Sequence, residues 1–149
     1  MSVLVTLGCT CGRLRKLARR LTRIYDAHLA GEGVKVTQYS LLVNISQGER
    51  TLSELALSMD MERTTLTRNL APLEKQGWVK TKAGDDPRSR VVAITESGRR
   101  KIETVLPLWR RAQREVAATL GESHLGALHE EVDRALSALP PEPPQGTRT

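Results

Sequence analysis

Few residues in this chain are of a type that could do reactive chemistry. Cys9 and Cys11 sit one residue apart, just ahead of a segment loaded with Arg and Lys. Nearby cations and a helix N-terminus both favour the thiolate, the form that meets oxidants and soft metals. That makes Cys9 and Cys11 candidate redox-sensing thiols; the plainer alternative is two small apolar residues near a chain terminus. A single intervening residue gives too little reach for an easy disulfide between them, and free thiols fit a reducing compartment. His28, His124 and His129 stand apart from any nucleophile in a recognisable setting, and the last two, five positions apart, share a helix face poorly. There is no Gly-rich phosphate loop, no metalloprotease pattern and no Cys-x-x-Cys. The expectation is a protein that is not an enzyme, with no metal and no cofactor.

Chemistry of another kind gathers in the middle of the chain. Arg63, Thr64, Thr65, Thr67, Arg68 and Asn69 crowd the start of one helical segment. Hydroxyls and backbone N–H groups at a helix start bind phosphate, and an Arg reads guanine O6 and N7 in the major groove. Thr64 and Thr65 are assigned to phosphate, Thr67 and Arg68 to base edges. A little further on, Asp86-Pro87-Arg88-Ser89-Arg90 forms a short basic loop. Arg88 and Arg90 at a narrow tip suit the minor groove of DNA. Asp86 would repel phosphate, so it is expected to brace the wing by pairing with a neighbouring Arg. Taken singly, each cluster is equally an ordinary solvated surface.

The elements that must position these residues follow from periodicity and caps. Leu14, Leu17, Leu21, Ile24 and His28 recur at steps of three and four, which predicts a helix over about 11–29. Thr37 is expected to cap a second helix from Gln38 to Ser46. Thr51-Leu52-Ser53-Glu54 is a capping box opening a short third helix. A fourth spans about Glu62–Gln76, with Leu66, Leu70 and Leu73 inward and Pro72 inside it. Trp78–Lys82 and Arg90–Ile94 predict a β-hairpin. Thr95 caps a long helix, Glu96–Leu120, and a last helix runs over about 122–139 with Leu125, Leu128, Val132, Leu136 and Leu139 on one side. Residues 140–149 are Pro-rich and expected to be disordered. The fold class is mainly α with a small β-hairpin wing: a winged helix-turn-helix at 37–95, flanked by helices at 1–36 and 96–139.

The stretch from Thr51 to Gly98 resembles the DNA-binding lobe of the MarR (multiple-antibiotic-resistance regulator) family. The resemblance rests on Leu73-Glu74-Lys75-Gln76-Gly77-Trp78-Val79, then Asp86-Pro87-Arg88, then Ile94-Thr95-Glu96-Ser97-Gly98, in that order and spacing. Ile94 stands where Leu is commoner, and Pro87 lies inside the D-x-R of the wing. The resemblance implies a homodimer built on the terminal helices and reading a pseudo-palindromic double-stranded DNA operator. It implies a transcriptional repressor released by a signal, either an oxidant at cysteine or a small anionic aromatic ligand in the crevice beside the dimer helices. Arg15, Arg19, Tyr25, His28 and Tyr39 are candidate lining residues there, equally explained as interface or core.

Composition bounds the rest. The 149 residues suit one domain, and the formal net charge of +6 favours a polyanionic partner. With no Phe and few other aromatics, the core must be largely aliphatic, which suits packed helices. The apolar opening, MSVLVTLG, is short for a secretion signal. No run of about 18 apolar residues occurs, so the expectation is a cytoplasmic protein that does not span a membrane. Two other readings remain: a winged-helix protein-interaction module without specific DNA binding, and an amphipathic surface-binding segment at 11–29.

Overall fold

The computed structural model describes residues 8–141. Helix α1 is Thr10–Leu29, and Cys9 at its N-cap accepts a hydrogen bond from the Gly12 N–H through Sγ at 3.3 Å. A 3-10 turn, Ala30–Glu32, and Gly33 at φ +64° lead into α2, Val36–Ser46. The start of α2 differs from the sequence expectation, because Thr37 lies inside the first turn and does not cap it. The orphan donors are met from elsewhere: Asp26 Oδ1 of α1 accepts from the Val36 N–H at 2.8 Å, and Gln38 Oε1 accepts from Lys35 N–H at 3.0 Å.

Strand β1 is only Arg50–Thr51, a pair too short to show a period in sequence. Helix α3, Leu52–Ser58, opens with the expected capping box: Glu54 N–H donates to Thr51 Oγ1 at 3.1 Å, and Thr51 N–H to Glu54 Oε2 at 2.9 Å. Helix α4, Arg63–Lys75, runs unbroken through Pro72 and ends at Gly77, whose φ of +74° is cheap only without a Cβ. Strands β2, Val79–Ala83, and β3, Arg90–Ile94, form the hairpin. The sheet has three strands, in the order β1-β3-β2, all antiparallel. Helix α5 is Glu96–Leu120 and α6 is Glu122–Ala138. No helix among the described residues is long and apolar enough to cross a membrane.

Two apolar clusters result. One joins α2, α3, α4 and the sheet through Leu42, Leu55, Leu66, Leu73 and Val92. The other joins α1, α2 and α5 through Leu29, Val34, Tyr39 and Val105. Trp78 and Ile102 pack against both. Leu66 and Leu73 are wholly buried, so the inward face of α4 is fixed and its opposite face must be exposed.

The terminal helices are different. The stripe on α6 is largely uncovered by this chain, whereas that on α1 is half-buried at Leu17, Leu21, Ile24 and His28 and open at Leu14. Leu14 remains 49% exposed, Leu136 60% and Leu139 72%, and α6 has no buried residue.

Where α5 begins, the packing is closest. Thr95 Oγ1 accepts from Gly98 N–H at 3.0 Å and donates to the Gly77 carbonyl at 2.6 Å, while Thr95 N–H donates to the Trp78 carbonyl at 3.0 Å. A Cβ on Gly98 would overlap the Trp78 carbonyl oxygen. In an open helix Gly→Ala stabilises by about 1 kcal/mol, but backbone cannot yield as a side-chain tip can. Gly98→Ala is therefore expected to lower stability by about 1–3 kcal/mol, measured by chemical denaturation. A variant as stable as the parent would contradict this packing.

Candidate nucleic-acid interface

Burial of Leu66, Leu70 and Leu73 turns Arg63, Thr64, Thr67 and Arg68 together onto the open side of α4, where they line one shallow depression. Thr65 is half-buried on the flank of the helix. Asn69 is exposed, but its amide points back to Met61 Sδ at 3.6 Å, so it stands apart from the other four. The Thr67 hydroxyl donates to the Arg63 carbonyl at 2.9 Å.

The loop between β2 and β3 is built by its own backbone bonds. Gly84 N–H donates to the Ser89 carbonyl, and the Ser89 N–H and hydroxyl both donate to the Asp86 carbonyl, each at 2.9 Å. Asp86 Oδ1 accepts from the Arg88 backbone N–H at 2.9 Å. The brace thus acts on the main chain, whereas the sequence suggested a guanidinium partner. A carboxylate two residues upstream of an N–H closes an Asx turn with less loss of freedom than a bond to a long side chain. Among the described residues the Arg88 guanidinium has no hydrogen-bond or ion-pair partner, so it projects freely from the tip. Arg90 is held: its Nη2 donates to Thr81 Oγ1 on β2 at 2.8 Å.

Arg63 connects the two surfaces. It also lines a second cleft, about 130 Å³, with Thr51, Ser53, Arg88 and Arg90. The start of α3, the start of α4 and the wing therefore converge on one basic concavity. Sequence reasoning missed Thr51 and Ser53 as parts of it. The capping box places both at a helix start, but only the β1–β3 pairing brings that start beside the wing.

The other singled-out residues lie elsewhere. Cys9 and Cys11 are free and exposed at the start of α1. Tyr25 donates to Gln113 Oε1, and His28 pairs with Glu115, so both tie α1 to α5. Tyr39 is buried with its ring 6.5 Å from that of Trp109, while Arg15 and Arg19 are exposed. Burial raises the pKa of Tyr25 and Tyr39 above 10.0, partly opposed at Tyr39 by Arg110.

A short helix, a tight turn, a second helix with one open polar face, and a hairpin wing is the geometry of a winged helix-turn-helix. Residues 32–89 match the family model described as MarR family. The transcriptional regulator MosR of M. tuberculosis, solved in complex with DNA, is 37% identical, with a TM-score of 0.71 over 86% of this chain and 98% of that one. The chain belongs to the MarR family of transcriptional regulators. Among other relatives of this MarR-family chain, the transcriptional repressor MprA of Escherichia coli is 28% identical over 115 residues, which is 74% of this chain and 65% of MprA. A mutant of E. coli MarR complexed with operator DNA is 23% identical and shares the fold, with a TM-score of 0.81 over 91% of this chain and 99% of that one.

Two outcomes test the local chemistry. The Arg88 amide is expected to exchange with solvent faster in Asp86→Ala and to stay protected in Asp86→Asn, which keeps an acceptor oxygen; equal protection in both, followed by NMR, would remove the brace. The two phenols favour the fold in their neutral form, so they cost nothing below the unfolded value of 10.0 and weaken the fold as pH rises through their higher folded values. Tyr39→Phe should flatten part of that alkaline loss in denaturation midpoints, and an unchanged alkaline slope would exclude it.

Proposed function

We propose that this regulator is a homodimeric, sequence-specific DNA-binding repressor, acting in the cytoplasm, that docks α4 in the major groove and the wing in the adjacent minor groove. The observation that carries this reading is the convergence of Arg63, Arg88 and Arg90 with the start of α3 beside the open face of α4. Arg68 reads a base edge, Thr67 meets an adjacent base, and Thr64 and Thr65 hold phosphate; Asn69 borders the same surface. Arg88 enters the minor groove from the tip, and Arg90 and Arg63 line the path of the backbone between the two grooves.

Dimerisation rests on 1–36 and 96–139, flanking the DNA-binding lobe at 37–95. The exposed Val132, Leu136 and Leu139 at the end of α6, with Leu14 on α1, support it, since exposed apolar surface favours association. A two-fold dimer presents two α4 helices to a pseudo-palindrome with half-sites about one helical turn apart. Release would come from a small anionic aromatic ligand in the crevice beside the dimer helices, or from an oxidant at the exposed thiols of Cys9 and Cys11.

The test is binding of the purified protein to a duplex from the region upstream of its own coding sequence, across a range of salt, with and without reductant. Tight binding that survives excess nonspecific DNA is expected. Arg68→Ala should lose about 1–3 kcal/mol at one base pair and relax preference there. Arg88→Ala should weaken binding to all sequences and reduce the steepness of the salt dependence by about one. Unchanged affinity and preference in both variants would rule out this docking.

A further inference from the structure

The ion pair between Lys101 and Glu32 is the most covered among the described residues. Lys101 Nζ lies 2.9 Å from Glu32 Oε2, with the two side chains 18% and 32% exposed. The same ammonium stands 5.4 Å from the centroid of the Trp78 ring. These three residues come from three separate pieces of the fold. Glu32 is in the 3-10 turn that ends α1, Lys101 is in the second turn of α5, and Trp78 immediately precedes β2 at the root of the wing.

Trp78 holds a particular place. Its ring packs against both apolar clusters, and its carbonyl accepts from Thr95 at the start of α5. Lys101, paired with Glu32, carries its ammonium over the face of that ring. An ammonium between a carboxylate and an indole face gains from both, and partial burial keeps solvent from screening the attraction as it does for the other, more open pairs.

We propose that Glu32, Lys101 and Trp78 form a latch that fixes the angle between the helical frame of α1 and α5 and the lobe that carries α4 and the wing. These are positioning residues: none lines the basic concavity, and they act on DNA only through the orientation of the lobe. The inference rests on the DNA-binding reading above for its consequence, but not for its geometry. In a dimer, a small rotation of each lobe about this seam changes the separation of the two α4 helices. The latch therefore sets which half-site spacing the protein accepts.

Two variants of the full-length protein test this: Glu32→Gln, which keeps the shape and removes the charge, and Lys101→Met, which keeps the stem and removes the ammonium. Hydrogen exchange on the free protein comes first. Both variants are expected to exchange faster across residues 78–98, with no change across 41–46 in the lobe core. Next, duplexes are selected by the parent protein from a randomised pool and resynthesised with half-sites one base pair closer or further apart. The parent should favour the selected spacing; each variant should bind it about tenfold more weakly and discriminate less among the three. The double variant should be no worse than the more damaging single one, because both break one unit.

Unchanged exchange and unchanged spacing preference in both single variants would overturn the latch, as would fully additive losses in the double variant. If the parent selects no sequence while exchange across 78–98 still rises in both variants, the latch stands as a brace and the DNA-binding reading fails.

Discussion

The turn that leaves α4 and the cap that opens α5 are held by one hydroxyl. Thr95 accepts from Gly98 N–H and donates to the Gly77 carbonyl, while its own N–H meets the Trp78 carbonyl. Three consecutive elements, α4, β2 and α5, are referenced to this point. Gly98 makes the arrangement feasible because only a residue without a Cβ lets the first turn of α5 lie on the Trp78 carbonyl. From there β2 fixes β3, β3 recruits β1, and the β1–β3 pairing carries the start of α3 to the wing. The basic concavity is thus a remote product of one close backbone approach.

Elements governed by neighbours in sequence were legible. The capping box at Thr51, the caps and breakers at Thr95 and Gly121, and the β-branched, apolar run Arg90–Ile94 give boundaries that the structure reproduces. The aliphatic periodicity of α4 likewise shows which side is buried, and so which of Arg63, Thr64, Thr67 and Arg68 can share the other. What the sequence hid depends on contacts between distant residues. Strand β1 exists only because β3 pairs with it. The first donor of α2 is satisfied by Asp26, ten residues upstream on another helix. Thr37, the obvious local candidate, is not needed there. Glu32 and Lys101 are 69 positions apart, and nothing in either neighbourhood marks them as partners.

The terminal helices illustrate a different limit. Their apolar stripes can be read residue by residue, as at Leu14, Leu136 and Leu139, but a stripe does not state what covers it. Within this chain α1 meets α5 through the Leu29–Val105 cluster and the polar links of Tyr25 and His28, an azimuth that leaves Leu14 exposed. The charge pattern sharpens the contrast. α1 carries Arg13, Arg15, Lys16, Arg19, Arg20 and Arg23 against one acid, Asp26, whereas α6 carries Glu122, Glu130, Glu131 and Asp133 against one base, Arg134. Opposite net signs on the two helices favour apposition of α1 with α6 of a second copy across the proposed two-fold interface.

In the docking proposed above, one bond on α4 narrows what that helix can offer a base. The Thr67 hydroxyl uses its one donor on the Arg63 carbonyl, one turn back along its own helix. What it still presents outward is oxygen lone pairs and a methyl group. Thymine's methyl and the exocyclic amines of adenine and cytosine are suited to such a surface; the acceptor edge of guanine is not. Thr64, one turn earlier with no such bond among the described residues, keeps its proton to offer. Two identical side chains on one face of one helix thus have different vocabularies, assigned by whether the backbone behind them has a carbonyl to spare.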